Sequence, residues 1–165
     1  MNGQLHRVVV TGIGVVSPVG NTLEETWNNL VNGVCGIAPI TLFDTTDYKA
    51  KVAGEVKNFE PRDYMTKQEI LRSDRFTQLA VAAAAQAVEE SGVIGTVDPA
   101  RIGVYFGSGI GGINTMTKEH AKLLNKGPAR VSPYCVPMMI ANMAAGEIAI
   151  RYNCQGGAMP AVTAC

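Results

Sequence analysis

Between Arg72 and Gly92 the chain reads RSDRFTQLAVAAAAQAVEESG. Phe76, Leu79, Ala80, Ala83, Ala84, Ala87 and Val88 recur at helical spacing. Ser73 or Asp74 stands where an N-cap belongs, and Gly92 supplies a stop. The alanines constrain more than local conformation. With only a methyl group outside the backbone, an alanine face lets a neighbouring segment approach the helix closely. This helix is therefore expected between layers of the fold rather than on a solvated surface.

The flanking text alternates strand and helix patterns. HRVVVTGIGVVSP opens with an apolar run, Val8 to Val10, that predicts a buried strand closed by glycines. NTLEETWNNLVNG follows as a helix, with Thr22 and Glu25 at capping-box spacing, Gly33 as stop, and Leu23, Trp27, Leu30 and Val31 on one face. AKVAGEV predicts a short strand within an irregular stretch, and ARIGVYFGSG a second buried strand. GINTMTKEHAKLLNKG reads as a helix, and PARVSPYCVP as a loop interrupted by Pro128, Pro133 and Pro137. A single apolar, small-residue helix is expected after Pro137, and a third strand at GGAMPAVTA. This alternation predicts an α/β fold with a largely parallel sheet. A charged fraction of only 17% with 18 glycines agrees with much buried backbone.

Equal numbers of basic and acidic residues, 14 of each, leave no basic stripe or acidic tail. Nucleic acid and membrane surfaces are not expected partners. The run VVV is too short for a signal peptide, and no stretch approaches the ~20 apolar residues that span a bilayer. Cys35, Cys135, Cys154 and Cys165 form no C-x-x-C pair, and His6 and His120 are the sole histidines. No metal site and no cofactor is expected, and the thiols are expected reduced in a cytoplasmic protein.

Two glycine loops imitate nucleotide-binding turns. Gly12-x-Gly14 has Ser17 where a third glycine belongs. Gly107, Gly109 and Gly112 complete G-x-G-x-x-G, but no acid follows at about 20 residues to hold a ribose. Glycines that permit tight turns and close backbone approach are the favoured reading of both, with a Rossmann-like nucleotide-binding module as the alternative from another class. His6 lies in the polar leader and His120 in the solvated TKEHAK face, so neither is an evident base for a cysteine nucleophile.

Taken in order, RVVVTGIGVVSPVGN, DRFTQLAVAAAAQAV, RIGVYFGSGIGGI, GPARVSPYCVPMMIANMAAGEIAI and the final VTAC resemble the β-ketoacyl-[acyl-carrier-protein] synthases. These are the elongating condensing enzymes of fatty acid synthesis, and the pattern is most similar to their synthase II form. The resemblance runs from Arg7 to Cys165 and implies a thiolase-like fold, layered α-β-α-β-α. Residues 1–165 would supply most of its N-terminal half, with the C-terminal half absent. A polyketide or starter-type ketosynthase of the same fold is the enzyme alternative. A non-catalytic chain-length-factor-like subunit is disfavoured by the presence of Cys165.

By this resemblance Cys165 is the nucleophile that receives an acyl group from acyl carrier protein as a thioester. It would stand where a strand turns into a helix, where free N–H groups and the helix dipole favour the thiolate. Its backbone N–H would donate to an oxyanion hole. Malonyl-loaded carrier protein would then be decarboxylated and condensed, giving a 3-oxoacyl product. The family's two histidines and supporting lysine lie C-terminal to the nucleophile, so these 165 residues alone are expected to be inactive. Ile110, beside Gly109 in SGIGG, corresponds to the floor of the acyl pocket. SPYCVP corresponds to a loop that reaches the partner's pocket in a homodimer, and it departs from the family by carrying Tyr134 and Cys135 where two phenylalanines are common.

Overall fold

The computed structural model describes residues 7–163; His6 and Cys165 lie outside them. Its helices are α1 (Leu23–Val31), α2 (Lys67–Leu71), α3 (Arg75–Ser91), α4 (Ile113–Lys126), α5 (Cys135–Met139) and α6 (Met143–Arg151). Its strands are β1 (Ile37–Pro39), β2 (Val52–Gly54), β3 (Val104–Gly107) and β4 (Ala158–Ala161). β1 and β2 pair antiparallel, whereas β3 and β4 pair in parallel with Val104 opposite Ala158 and Gly107 opposite Ala161. The parallel pairing is the one the strand–helix alternation predicts, and β2 falls within AKVAGEV.

The alanine helix is the frame. Ala80 and Val81 of α3 join Met65, Ala144 and Ile148 in the buried core, with Phe76, Val104, Phe106 and Tyr152 packed against it. α6 contacts α3, β3 and β4, so its small residues let helix and sheet layers meet closely. α3 ends at Gly92, whose left-handed φ of 59° closes the cap that the sequence indicates. A second neighbour lies against Ala83 and Ala87. A Cβ on Gly14 would sit 1.8 Å from the Ala83 carbonyl oxygen, and one on Gly12 2.2 Å from that of Ala87. The N-terminal glycine pair thus serves close backbone approach. α3 also satisfies that segment's donors: Val15 N–H donates to Gln86 Oε1 at 3.1 Å and Ile13 N–H to Glu90 Oε2 at 2.6 Å.

Several expectations are corrected. Val8 to Val10 form no strand and are exposed, Val8 at 89%. No described strand lies beside them to pair their backbone; the segment meets the rest through its glycines. β3 is buried on one face only: Val104 and Phe106 point inward, while Tyr105 is exposed, as is Met159 on β4. The capping box of α1 is half made. Thr22 accepts from Glu25 N–H, but the Glu25 carboxylate takes the Asn21 N–H instead. Trp27, Leu30 and Val31 are exposed, and the residue α1 buries is Thr26, whose hydroxyl donates to the Gly20 carbonyl. The single helix expected after Pro137 is two. Pro137 lies in the first turn of α5, where its missing N–H leaves no helical bond unmade, and an extended Ile140 separates α5 from α6.

Candidate active site

Because β3 and β4 run in parallel, they deliver their C-terminal ends to one edge. That edge is where open α/β sheets place ligands, since the following loops diverge there. Past Gly107 the ladder gains one more bond, Ser108 N–H to the Ala161 carbonyl at 3.0 Å. The turn Ser108–Gly112 therefore starts beside the strand end that leads through Val162 and Thr163 toward Cys165.

The turn is held from within and from behind. Gly111 N–H donates to Ser108 Oγ at 2.9 Å, and Gly111 adopts a φ of +77° that glycine tolerates without strain. Gly112 N–H donates to the Met139 carbonyl at 2.8 Å, tying the turn to the end of α5. A Cβ on Gly112 would lie 2.2 Å from the Met138 carbonyl oxygen, so its absence is what lets α5 come this close. The second glycine motif, like the first, serves packing at this position. Ile110 stands at the tip of the turn and is 64% exposed, free of the core.

Of the residues singled out in the sequence, the structure brings together Gly109, Ile110 and the strand end preceding Cys165. Cys135 opens α5 and is half-buried, with its N–H on the Ser132 carbonyl. Tyr134 is drawn elsewhere: the Arg72 guanidinium stands 4.9 Å from its ring centroid, a cation–π contact with the end of α2. Cys165 itself lies outside the described residues. His120 is exposed on α4, seven residues or roughly 10 Å along the helix from Ile113. Burial pushes the Cys154 thiol up, which makes it a poor nucleophile.

Two features of this region escaped the sequence reading. Asp74 was legible as a cap for its own helix, yet its carboxylate turns to α4, where Thr115 donates both N–H (2.7 Å) and Oγ1–H (2.6 Å) to Oδ2. Glu119, also buried, accepts from Lys122 and from Ser132 N–H, and these bonds, the Lys122 one foremost, hold its carboxyl below the usual carboxylate range. Both acids line a cavity of about 460 Å³ with Gln78, Ser132 and Met138. Glu119 and Lys122 are three apart on α4, a spacing the sequence displays, but the bonds of Asp74 to Thr115 and of Glu119 to Ser132 join separate elements and leave no such signature.

The fold is shared with solved ketosynthases. The chain resembles the ishigamide ketosynthase/chain length factor with a TM-score of 0.78 and 29% identity, over 95% of this chain and 40% of that one. A beta-ketoacyl synthase from Burkholderia phymatum STM815 gives a TM-score of 0.76 at 20% identity, over 97% of this chain. Residues 5–165 match the beta-ketoacyl synthase N-terminal domain, and the chain belongs to that family. It is 47% identical over 163 residues to 3-oxoacyl-[acyl-carrier-protein] synthase 2 of Staphylococcus aureus strain COL, covering 98% of this chain. It is 44% identical over 165 residues to the protein of the same name from Synechocystis sp.. The chain spans 39% and 40% of the length of these two relatives. Among the described residues no helix is long and apolar enough to cross a membrane.

Proposed function

We propose that the polypeptide carrying this sequence is an elongating condensing enzyme, with residues 1–165 as the first part of its ketosynthase domain. In the first step the Cys165 thiolate attacks the thioester of acyl carrier protein. The new C–S bond forms as the carrier's C–S bond breaks, and the carrier leaves as its thiolate, which takes a proton from water. In the second, malonyl carrier protein loses carbon dioxide and its carbanion attacks the acyl carbonyl, forming a C–C bond and freeing the Cys165 thiolate. The observation that carries this reading is the β3–β4 register, which sets the Ser108–Gly112 turn beside the strand end leading to Cys165. Backbone N–H groups at such an edge are the donors an oxyanion needs.

Ile110 serves as the floor of the acyl pocket, with Gly109 beside it as a substrate-binding residue. Tyr134 and Cys135, at the start of α5, belong to the stretch that lines the pocket across a homodimer. Acyl carrier protein is the partner. In support, a type II polyketide ketosynthase of the same fold, 20% identical, is known in complex with its acyl-carrier protein. The full-length protein should convert hexadecanoyl- and malonyl-[acyl-carrier-protein] to a 3-oxoacyl product with release of carbon dioxide, and Cys165→Ala should abolish it. Unchanged product formation by Cys165→Ala would remove the thiol from the mechanism.

A further inference from the structure

α4 begins with a deficit. Its N-cap is Gly112, which has no side chain to accept from the free N–H groups of the first turn. The acceptor comes from another helix: Asp74 Oδ2 takes both the N–H and the Oγ1–H of Thr115, 41 residues away in sequence. Asp74 is itself the N-cap of α3, where its backbone carbonyl accepts from Thr77 and Gln78 N–H at 3.1 and 3.2 Å and its side chain makes no cap bond. One residue thus closes two helices, α3 with its carbonyl and α4 with its carboxylate. Asp74 is only 4% exposed and Thr115 6%, so the bond is largely shielded from solvent. The negative charge also lies at the positive end of α4, where the helix dipole strengthens it.

The consequence reaches the turn directly upstream. Gly112 is tied to α5 by its N–H bond to Met139, while the Asp74 carboxylate holds Thr115 three positions on and stands against Gly112, its Oδ2 3.1 Å from where a Cβ there would be. Only Gly111 separates Gly112 from Ile110. We infer that Asp74 is a positioning residue that fixes the Ser108–Gly112 turn, and with it the depth at which Ile110 meets an acyl chain. The inference rests on the acyl-pocket reading above. Released from Asp74, the start of α4 loses its acceptor and the turn loses its rear anchor, so Ile110 no longer limits chain length sharply.

The test compares kcat/KM for octanoyl- and hexadecanoyl-[acyl-carrier-protein] in full-length wild type, Asp74→Ala, Asp74→Asn and Thr115→Val. Asparagine keeps an oxygen that accepts both bonds, and valine removes the hydroxyl donor alone. Asp74→Ala is expected to change the ratio of the two kcat/KM values by about tenfold, as the start of α4 loses both of its charge-assisted bonds to Asp74. Asp74→Asn should restore the ratio to within about threefold of wild type, and Thr115→Val should move it in the same direction as alanine. An unchanged ratio in Asp74→Ala and Thr115→Val, or an asparagine variant that behaves like alanine, overturns the inference. If Asp74→Ala does not fold, Thr115→Val decides alone. Failure of wild type to acylate Cys165 would instead refute the functional reading on which the inference stands.

Discussion

Replacing Gly14 by alanine is a direct probe of how the N-terminal segment is seated on α3. The new Cβ would lie 1.8 Å from the Ala83 carbonyl oxygen, 2.8 Å from its carbon and 2.9 Å from Ala87 N. All three are backbone atoms of a 17-residue helix, and none can rotate aside. To reach ordinary van der Waals contact the segment must retreat by roughly 1.5 Å. That retreat stretches the 3.1 Å bond from Val15 N–H to Gln86 beyond hydrogen-bonding range. Overpacking costs about 1–3 kcal/mol, and a half-buried N–H without an acceptor adds about 1 kcal/mol. Gly14→Ala should therefore destabilise by roughly 2–4 kcal/mol, read as a lowered urea midpoint at unchanged slope. Gly95→Ala is the control: its φ is +84° and nothing lies within 4 Å of its Cβ, so only backbone strain, about 1 kcal/mol, applies. A Gly14 variant no less stable than the Gly95 variant would refute close approach as the reason for the first glycine motif.

Three further outcomes are expected. Ile110→Phe should lower kcat/KM for hexadecanoyl relative to octanoyl carrier protein by about tenfold, checked by steady-state kinetics on both substrates. The Thr66 N–H, helped by its hydroxyl and by the Arg151 guanidinium 2.7 Å away, holds the Glu69 carboxyl below its usual 4.5. Its stabilisation is thus present above pH 4.5 and lost as pH falls through the depressed native value, so Glu69→Gln should flatten the acid limb of Tm against pH. Under limiting iodoacetamide at neutral pH, mass mapping should find Cys165 labelled before Cys35 and Cys135, with Cys154 last because burial raises its thiol.

The sequence carried the local structure well where one face of one element decides it. α3 was legible to within its caps because periodicity, N-cap and left-handed Gly92 all act within a single segment. The parallel strand pair was legible from alternation, and the reason for Gly12 and Gly14 from what an alanine face permits. What depends on a second element was not. Val8 to Val10 has strand composition, yet pairing requires a neighbour that the described residues do not provide. The break at Ile140 follows from α5 seating against Gly112, a contact spanning 27 positions that no local pattern encodes. Asp74 shows the limit most clearly: the residue was visible as a cap, but which helix its carboxylate serves is decided in space. At the site, Gly109 and Ile110 were placed through family resemblance, and the structure adds the anchoring of their turn by Ser108 and Met139.

The central claim is that the strand end beside the Ser108–Gly112 turn delivers an acyl-accepting thiol. Full-length protein incubated with hexadecanoyl-[acyl-carrier-protein] without malonyl donor should gain one hexadecanoyl group. Peptide mapping should place it on Cys165 as a hydroxylamine-labile thioester. Acylation confined to Cys35, Cys135 or Cys154, or no covalent gain with an intact carrier-protein substrate, would contradict the account.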